Sequence, residues 1–139
     1  MSGGAKLLLD TNAALFVVGS GAFSPEARSA VEVASTGGHL FISAISAWEI
    51  GLLMARGRLK STKSAIDFFH EMVGRTGSKV CEVSAAIFAN SSFLPHFDNR
   101  DPADCLLVST ARTYDMTLVT RDRKILAYGV EGYVKSMAC

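Results

Sequence analysis

Short apolar runs alternate along the chain with longer stretches whose apolar residues recur at helical spacing. That alternation predicts an α/β fold with a parallel sheet, because strands covered on both faces are apolar throughout and helices only on one side. Residues 6–9 (KLLL), 39–43 (HLFIS), 79–83 (KVCEV) and 116–122 (MTLVTRD) read as strands, and 132–136 (GYVKS) as a last edge strand. Between them the pattern predicts a short helix from about Asn12 to the GSG break at 19–21, and a second over 24–35 with Ser24 as cap, Pro25 in the first position and Gly37-Gly38 at its end. Further helices are predicted over 46–56 with Gly57 as C-cap, over 64–76 with Ile66, Phe69, Met72 and Val73 on one face, and over 84–94 with Ser84 as cap and Pro95 beyond. Residues 101–115 follow, with Asp101 capping and Pro102 first.

Composition narrows this reading. A chain of 139 residues is the length of one domain, so 1–139 is taken as a single unit; no linker, repeat or low-complexity segment divides it. At 49% hydrophobic and 19% charged it can fill a core and is not disordered. A net charge of +1 from 14 basic and 13 acidic residues announces no nucleic-acid partner, so any such partner must be argued from local charge. Cys81, Cys105 and Cys139 are odd in number and far apart, which suits a reducing compartment rather than a disulfide framework. The three histidines match no zinc signature. Neither a signal peptide nor a membrane span is legible, so a cytoplasmic location is expected.

The acids stand at particular places. In open α/β sheets ligands bind beyond the carboxyl ends of the strands. Asp10 follows the first strand, Asp122 follows TLVT, Glu49 lies early in the helix after the second strand, and Asp101 and Asp104 open the helix that precedes TLVT. Brought together, three to five carboxylates either raise one another's pKa or bind a divalent cation. Mg²⁺ or Mn²⁺ prefers such oxygen ligands and commonly bridges them to substrate phosphate, which implies phosphodiester hydrolysis. Each acid also has a purely structural reading. Ser46-Ala47-Trp48-Glu49 is a capping box, Asp101 and Asp122 are helix caps, and Asp104 suits a helix dipole. Asp10 has the weakest such reading, since Asn12 is present to cap the next helix.

LLLDTN, SAISAWEI, RDPADCLLVSTA and TLVTRD, in that order over residues 7–122, resemble the PIN-domain ribonucleases, and among them the VapC toxins of type II toxin–antitoxin systems. The resemblance implies a three-layer α/β fold, a central parallel sheet of about five strands with helices on both faces. It implies an endoribonuclease dependent on Mg²⁺ or Mn²⁺. Asp10, Glu49, Asp104 and Asp122 match the family's acidic quartet; Asp101, Thr11, Asn12, Ser46 and Thr120 match acidic and polar positions around it. Asp10, Asp104 and Asp122 would hold the metal directly or through water, Glu49 would orient the water, and Thr120 and Asn12 would hydrogen-bond the carboxylates. It also implies a homodimer and a VapB-like antitoxin covering the site. One departure is clear: where the family commonly has arginine after DPAD, this chain has Cys105, read as a small core residue.

Candidate RNA contacts are the basic stretch 55–64, with Arg56, Arg58 and Lys60, and Arg121 and Arg123 beside Asp122. Trp48 is expected in the core or a dimer interface, and the phenylalanines mostly in the core. Two alternatives remain. One is a catalytically weak PIN-like module that binds RNA or a protein partner. The other is a receiver-type phosphoacceptor domain, against which the single acid in DTN and the Thr-Arg-Asp end of the late strand both speak.

Overall fold

A computed structural model describes residues 4–19 and 21–139; Ser20, in the expected GSG break, lies outside the described residues. The strands are β1 (Leu7–Leu9), β2 (Leu40–Ser43), β3 (Lys79–Cys81), β4 (Thr117–Thr120) and β5 (Lys135–Ala138). The helices are α1 (Thr11–Val18), α2 (Pro25–Gly37), α3 (Ile45–Ala55), α4 (Ala65–Thr76), α5 (Ala85–Asn90), α6 (Pro102–Tyr114) and α7 (Arg123–Val130). The strands form one sheet in the order β3-β2-β1-β4-β5, and every pairing is parallel. The expected α/β fold with a five-stranded parallel sheet is therefore what the chain adopts. The strand order also removes the receiver alternative, because receivers are wound 2-1-3-4-5.

β1 occupies the centre. Leu8 faces one layer, with Leu118, Leu107, Val108 and Ile125 from β4, α6 and α7. Leu7 and Leu9 face the other, with Leu40, Ile42, Phe69 and Met72 from β2 and α4. Helices thus cover both faces, and a fully buried leucine in such a core contributes about 1.5–3 kcal/mol. α3 is the exception to the layering. It places Ile45 in the first core and Ile50 in the second, and it touches α1 and α4 on one side and α6 on the other. Such a helix straddles the edge of the sheet.

Several local expectations need correction. The helix expected over 46–56 begins at Ile45, held by the Ser43 hydroxyl accepting the Ile45 N–H at 3.0 Å, so Ser46 lies inside the first turn and no capping box forms. α5 stops at Asn90, four residues short of expectation, and a turn follows. β5 is an edge strand as expected but starts at Lys135, because 132–134 form a turn around Gly132 at φ 89°. Ile66 is half exposed, so the buried face of α4 is carried by Phe69 and Met72. Of the eight phenylalanines, Phe69 is buried and Phe23, Phe41, Phe68 and Phe97 pack half-buried against the cores, as expected of most of them, while Phe88 and Phe93 are exposed. Trp48 is 47% exposed, which removes the core half of its expectation.

Candidate active site

The winding of the sheet locates a crevice. From β1 the chain moves outward through β2 and β3, then returns to the other side of β1 for β4 and β5, so the strand order reverses between β1 and β4. Ligands of open α/β sheets bind at this switch point, beyond the carboxyl ends. Asp10 ends β1, and its N–H donates to the Val119 carbonyl at 3.1 Å, which continues the ladder and fixes the residue beside β4. Thr120 ends β4, and its hydroxyl donates to Asp10 Oδ2 across the crevice. The same Thr120 oxygen accepts the Asp122 N–H at 3.0 Å. One threonine therefore ties two of the expected acids together.

Asp10 is also the cap of α1. Its Oδ1 accepts the Ala13 N–H at 2.6 Å, while Asn12 is exposed and bonds none of the acids among the described residues. The expected roles of Asn12, as cap and as support for a carboxylate, both fall away. Asp122 caps α7 through the Ile125 N–H, and Asp101 caps α6 through the Asp104 N–H. Three positive helix ends thus point at one acidic crevice.

Glu49 enters from α3 above the sheet edge. Thr11 Oγ1 donates to Glu49 Oε1, and it lies 2.7 Å from Ser46 Oγ. A hydroxyl has one proton, so Ser46 is the donor to Thr11, which hands its own proton to the carboxylate. Asp104 enters from α6, where Asn99 Nδ2 donates to its Oδ2 at 2.7 Å. Asn99 is 8% exposed, and its Oδ1 accepts the Asp101 N–H at 2.9 Å, so both ends of its amide are used. Sequence reasoning missed Asn99. Its only signal was an amide two residues before a helix cap, which is common in ordinary turns.

The carboxylates feel one another. Burial pushes Asp104 up to about 6, against the Asn99 hydrogen bond, and the charges of Asp101, Asp122 and Asp10 push the same way. Burial also raises Asp10, opposed by Thr120 and the Ala13 N–H and reinforced by the charge of Asp122. Glu49 is raised by burial, opposed by Thr11, and reinforced by Asp104, Asp101 and Asp10. Asp10, Glu49, Asp101, Asp104 and Asp122 therefore share one electrostatic site.

Among the described residues no cation forms a salt bridge with it. The salt bridges among the described residues join Arg28 to Glu32, Lys63 and Arg75 to Glu71, and Lys135 to Asp115, and none includes a site acid. Arg121 lies 3.7 Å above the centroid of the Phe16 ring, which itself stacks on Phe23. Cys105 is half-buried, and its thiol donates to the Asn99 carbonyl at 3.3 Å. Arg56, Arg58 and Lys60 lie at and beyond the far end of α3, with Arg56 about 10 Å along the axis from Glu49, so the site receives no charge from them by direct contact. Oxygen donors with unmet negative charge suit a hard divalent cation. Among the described residues no three acidic, histidine or cysteine side chains close a ready-made cage. Mg²⁺ does not require one, since it keeps several waters and takes one or two carboxylates.

Fold and site together define a class: parallel α/β domains with an open acidic centre at the switch point. The sequence then identifies the family, for it matches the PIN domain over residues 7–131, and the chain belongs to that family. PIN domains are generally nucleases. No curated protein matches significantly. Among solved structures, VapBC2 from Rickettsia felis bound to a promoter DNA fragment is 16% identical, with a TM-score of 0.69 over 96% of this chain and 98% of that one. DNA-bound VapBC from Salmonella typhimurium is 15% identical, also at 0.69, over 97% and 98%. FitAcB from Neisseria gonorrhoeae is 19% identical, at 0.58, over 94% and 96%.

Proposed function

We propose that this chain is a divalent-metal-dependent endoribonuclease and the toxin component of a VapC-like type II toxin–antitoxin pair. The observation that carries the proposal is a cluster of buried and half-buried, mutually repelling carboxylates at the switch point, none of them in a salt bridge among the described residues. Asp10, Asp104 and Asp122 would hold Mg²⁺ or Mn²⁺, directly or through water. The cation, when bound, supplies the Lewis acidity that activates a water and stabilises charge on the phosphoryl oxygens.

The chain's own residues do the rest. Thr120 and Ala13 hold the two oxygens of Asp10, and Asn99 holds Asp104 by one oxygen. Glu49, fixed through Oε1 by Thr11, orients the attacking water and takes its proton as the P–O bond to the leaving group breaks. Arg121, steadied on Phe16, and Arg123 beside it meet substrate phosphate, with Arg56, Arg58 and Lys60 as outer contacts. The antitoxin partner is supported by the solved neighbours, which include VapBC structures and a toxin–antitoxin complex from Klebsiella pneumoniae. The exposed Trp48 supports a homodimer.

The test is cleavage of a short fluorogenic single-stranded RNA. Native protein should cut it with Mg²⁺ or Mn²⁺ and stop with EDTA. Asp10→Asn should keep the circular dichroism spectrum and lose cleavage; undiminished cleavage by that variant in a clean preparation refutes the proposal.

A further inference from the structure

One cavity adjoins the acidic crevice. It measures about 630 Å³, within the range of ligand pockets, and lies between α5, the loop after it and the first turn of α6. Phe88, Leu94 and Phe97 give it apolar and aromatic lining, and Asn99, Arg100 and Cys105 line it as well. Asn99 is the residue that holds Asp104. The wall is firmly set: the Tyr128 hydroxyl donates to the Pro95 carbonyl at 2.6 Å, and the Phe97 ring packs on Tyr128 with centroids 4.6 Å apart. Phe88 also lines it and is half exposed. Arg100 is exposed and makes no salt bridge among the described residues.

A cavity of similar size under β5 offers no comparable chemistry. There Arg112 already donates to the Tyr133 carbonyl and Lys135 pairs with Asp115.

We propose that the Phe88–Arg100–Cys105 cavity is a nucleobase subsite, holding the base of a nucleotide next to the phosphate presented to Asp104. The inference rests on the ribonuclease reading and adds where a base is held. An aromatic face stacks any base, and a free guanidinium beside it meets the attached phosphate or stacks in turn. The geometry suits single-stranded RNA, because a base inside a duplex cannot enter a side cavity.

The experiment measures binding of a fluorescein-labelled single-stranded RNA hexamer to Asp10→Asn protein by anisotropy, beside a cleavage assay on the native chain. Adding Phe88→Ala should weaken binding roughly five- to 150-fold, the loss of one stacked base. A set of hexamers with one abasic site each should contain one that loses affinity for the parent and shows no further loss with Phe88→Ala. Adding Arg100→Ala should lower the slope of log affinity against log salt by about one. Binding unchanged by both variants, with no sensitive abasic position, overturns the subsite. Unchanged RNA binding with a lower mass by light scattering assigns Phe88 to a contact between protein copies and overturns it equally. If native protein still cleaves RNA in either case, the nuclease reading stands alone; if it neither cleaves nor binds RNA, both fail.

Discussion

Thr11 has one hydroxyl proton and donates it in a hydrogen bond to Glu49, so the environment of that acid hangs on a single neighbouring donor. Donation favours the ionised carboxylate, and Glu49 is already raised by burial and by its acidic neighbours. Thr11→Val keeps the shape, removes the donor, and leaves Ser46 without its acceptor. We expect a loss of about 1–3 kcal/mol in stability, from partners left unpaired. We also expect Glu49 to be raised further. If ionised Glu49 accepts the proton of the attacking water, the acid limb of the pH–rate profile moves to higher pH, and the loss is larger at acid than at alkaline pH. Asn99→Ala should act in the same direction on Asp104, which starts from about 6 with the Asn99 amide opposing the rise. A uniform loss across the pH range in either variant would assign that residue to folding alone.

At the scale of elements, a carboxylate can serve the helix and the site at once, and substitution can separate the two duties. Asp101 caps α6 and its charge raises Asp104. Asp101→Ala should cost about 0.5–2 kcal/mol through the lost cap. Asp101→Asn should keep the melting temperature, relieve the repulsion, and move the acid limb to lower pH. Thermal melts and pH–rate profiles of the pair check this; equal destabilisation by both variants would show that the charge, not the cap, holds the helix start. Caps of this kind were legible in the sequence, because Ser24, Ser84, Asp101 and Asp122 act within three residues of themselves. Ser46 misled for the complementary reason. Its partner is Thr11, 35 residues away, and the start of α3 is set by Ser43 and by packing against both layers. The acids were legible because strand ends and helix starts fix them in the fold. Asn99 was not, since the bond that matters runs to a side chain whose direction only the folded loop determines. Which phenylalanines would stay outside, Phe88 and Phe93, was not legible, because apolar composition alone does not say which faces the layers leave uncovered.

The whole molecule gathers its acids where three helix ends and two central strands meet, and this concentrates a pH dependence in one place. Asp10, Glu49 and Asp104 all have folded pKa values above their unfolded ones. Between the two values the folded protein binds more protons than the unfolded chain, so stability falls as pH rises. For Asp104 the fall begins near its ordinary 3.8 and is complete above about 6. Through these groups, metal-free protein in EDTA should therefore melt higher at pH 5 than at pH 7.5. A divalent cation held as proposed would act in the opposite sense, because it would bind the ionised carboxylates and stabilise the folded state in proportion to its occupancy. The rise in melting temperature on adding Mg²⁺ or Mn²⁺ should be larger at pH 7.5 than at pH 5. Asp10→Asn removes one buried negative charge, keeps an oxygen for the Ala13 N–H, and turns an amide N–H toward Thr120 Oγ1, which must then accept where it donated before. It should raise the melting temperature in EDTA at pH 7.5 and shrink the metal-induced rise. Differential scanning fluorimetry of both proteins at the two pH values reads all of these shifts. A melting temperature in EDTA that is insensitive to Asp10→Asn, together with no metal-induced rise at pH 7.5, would contradict the account of a repelling acidic site relieved by a cation.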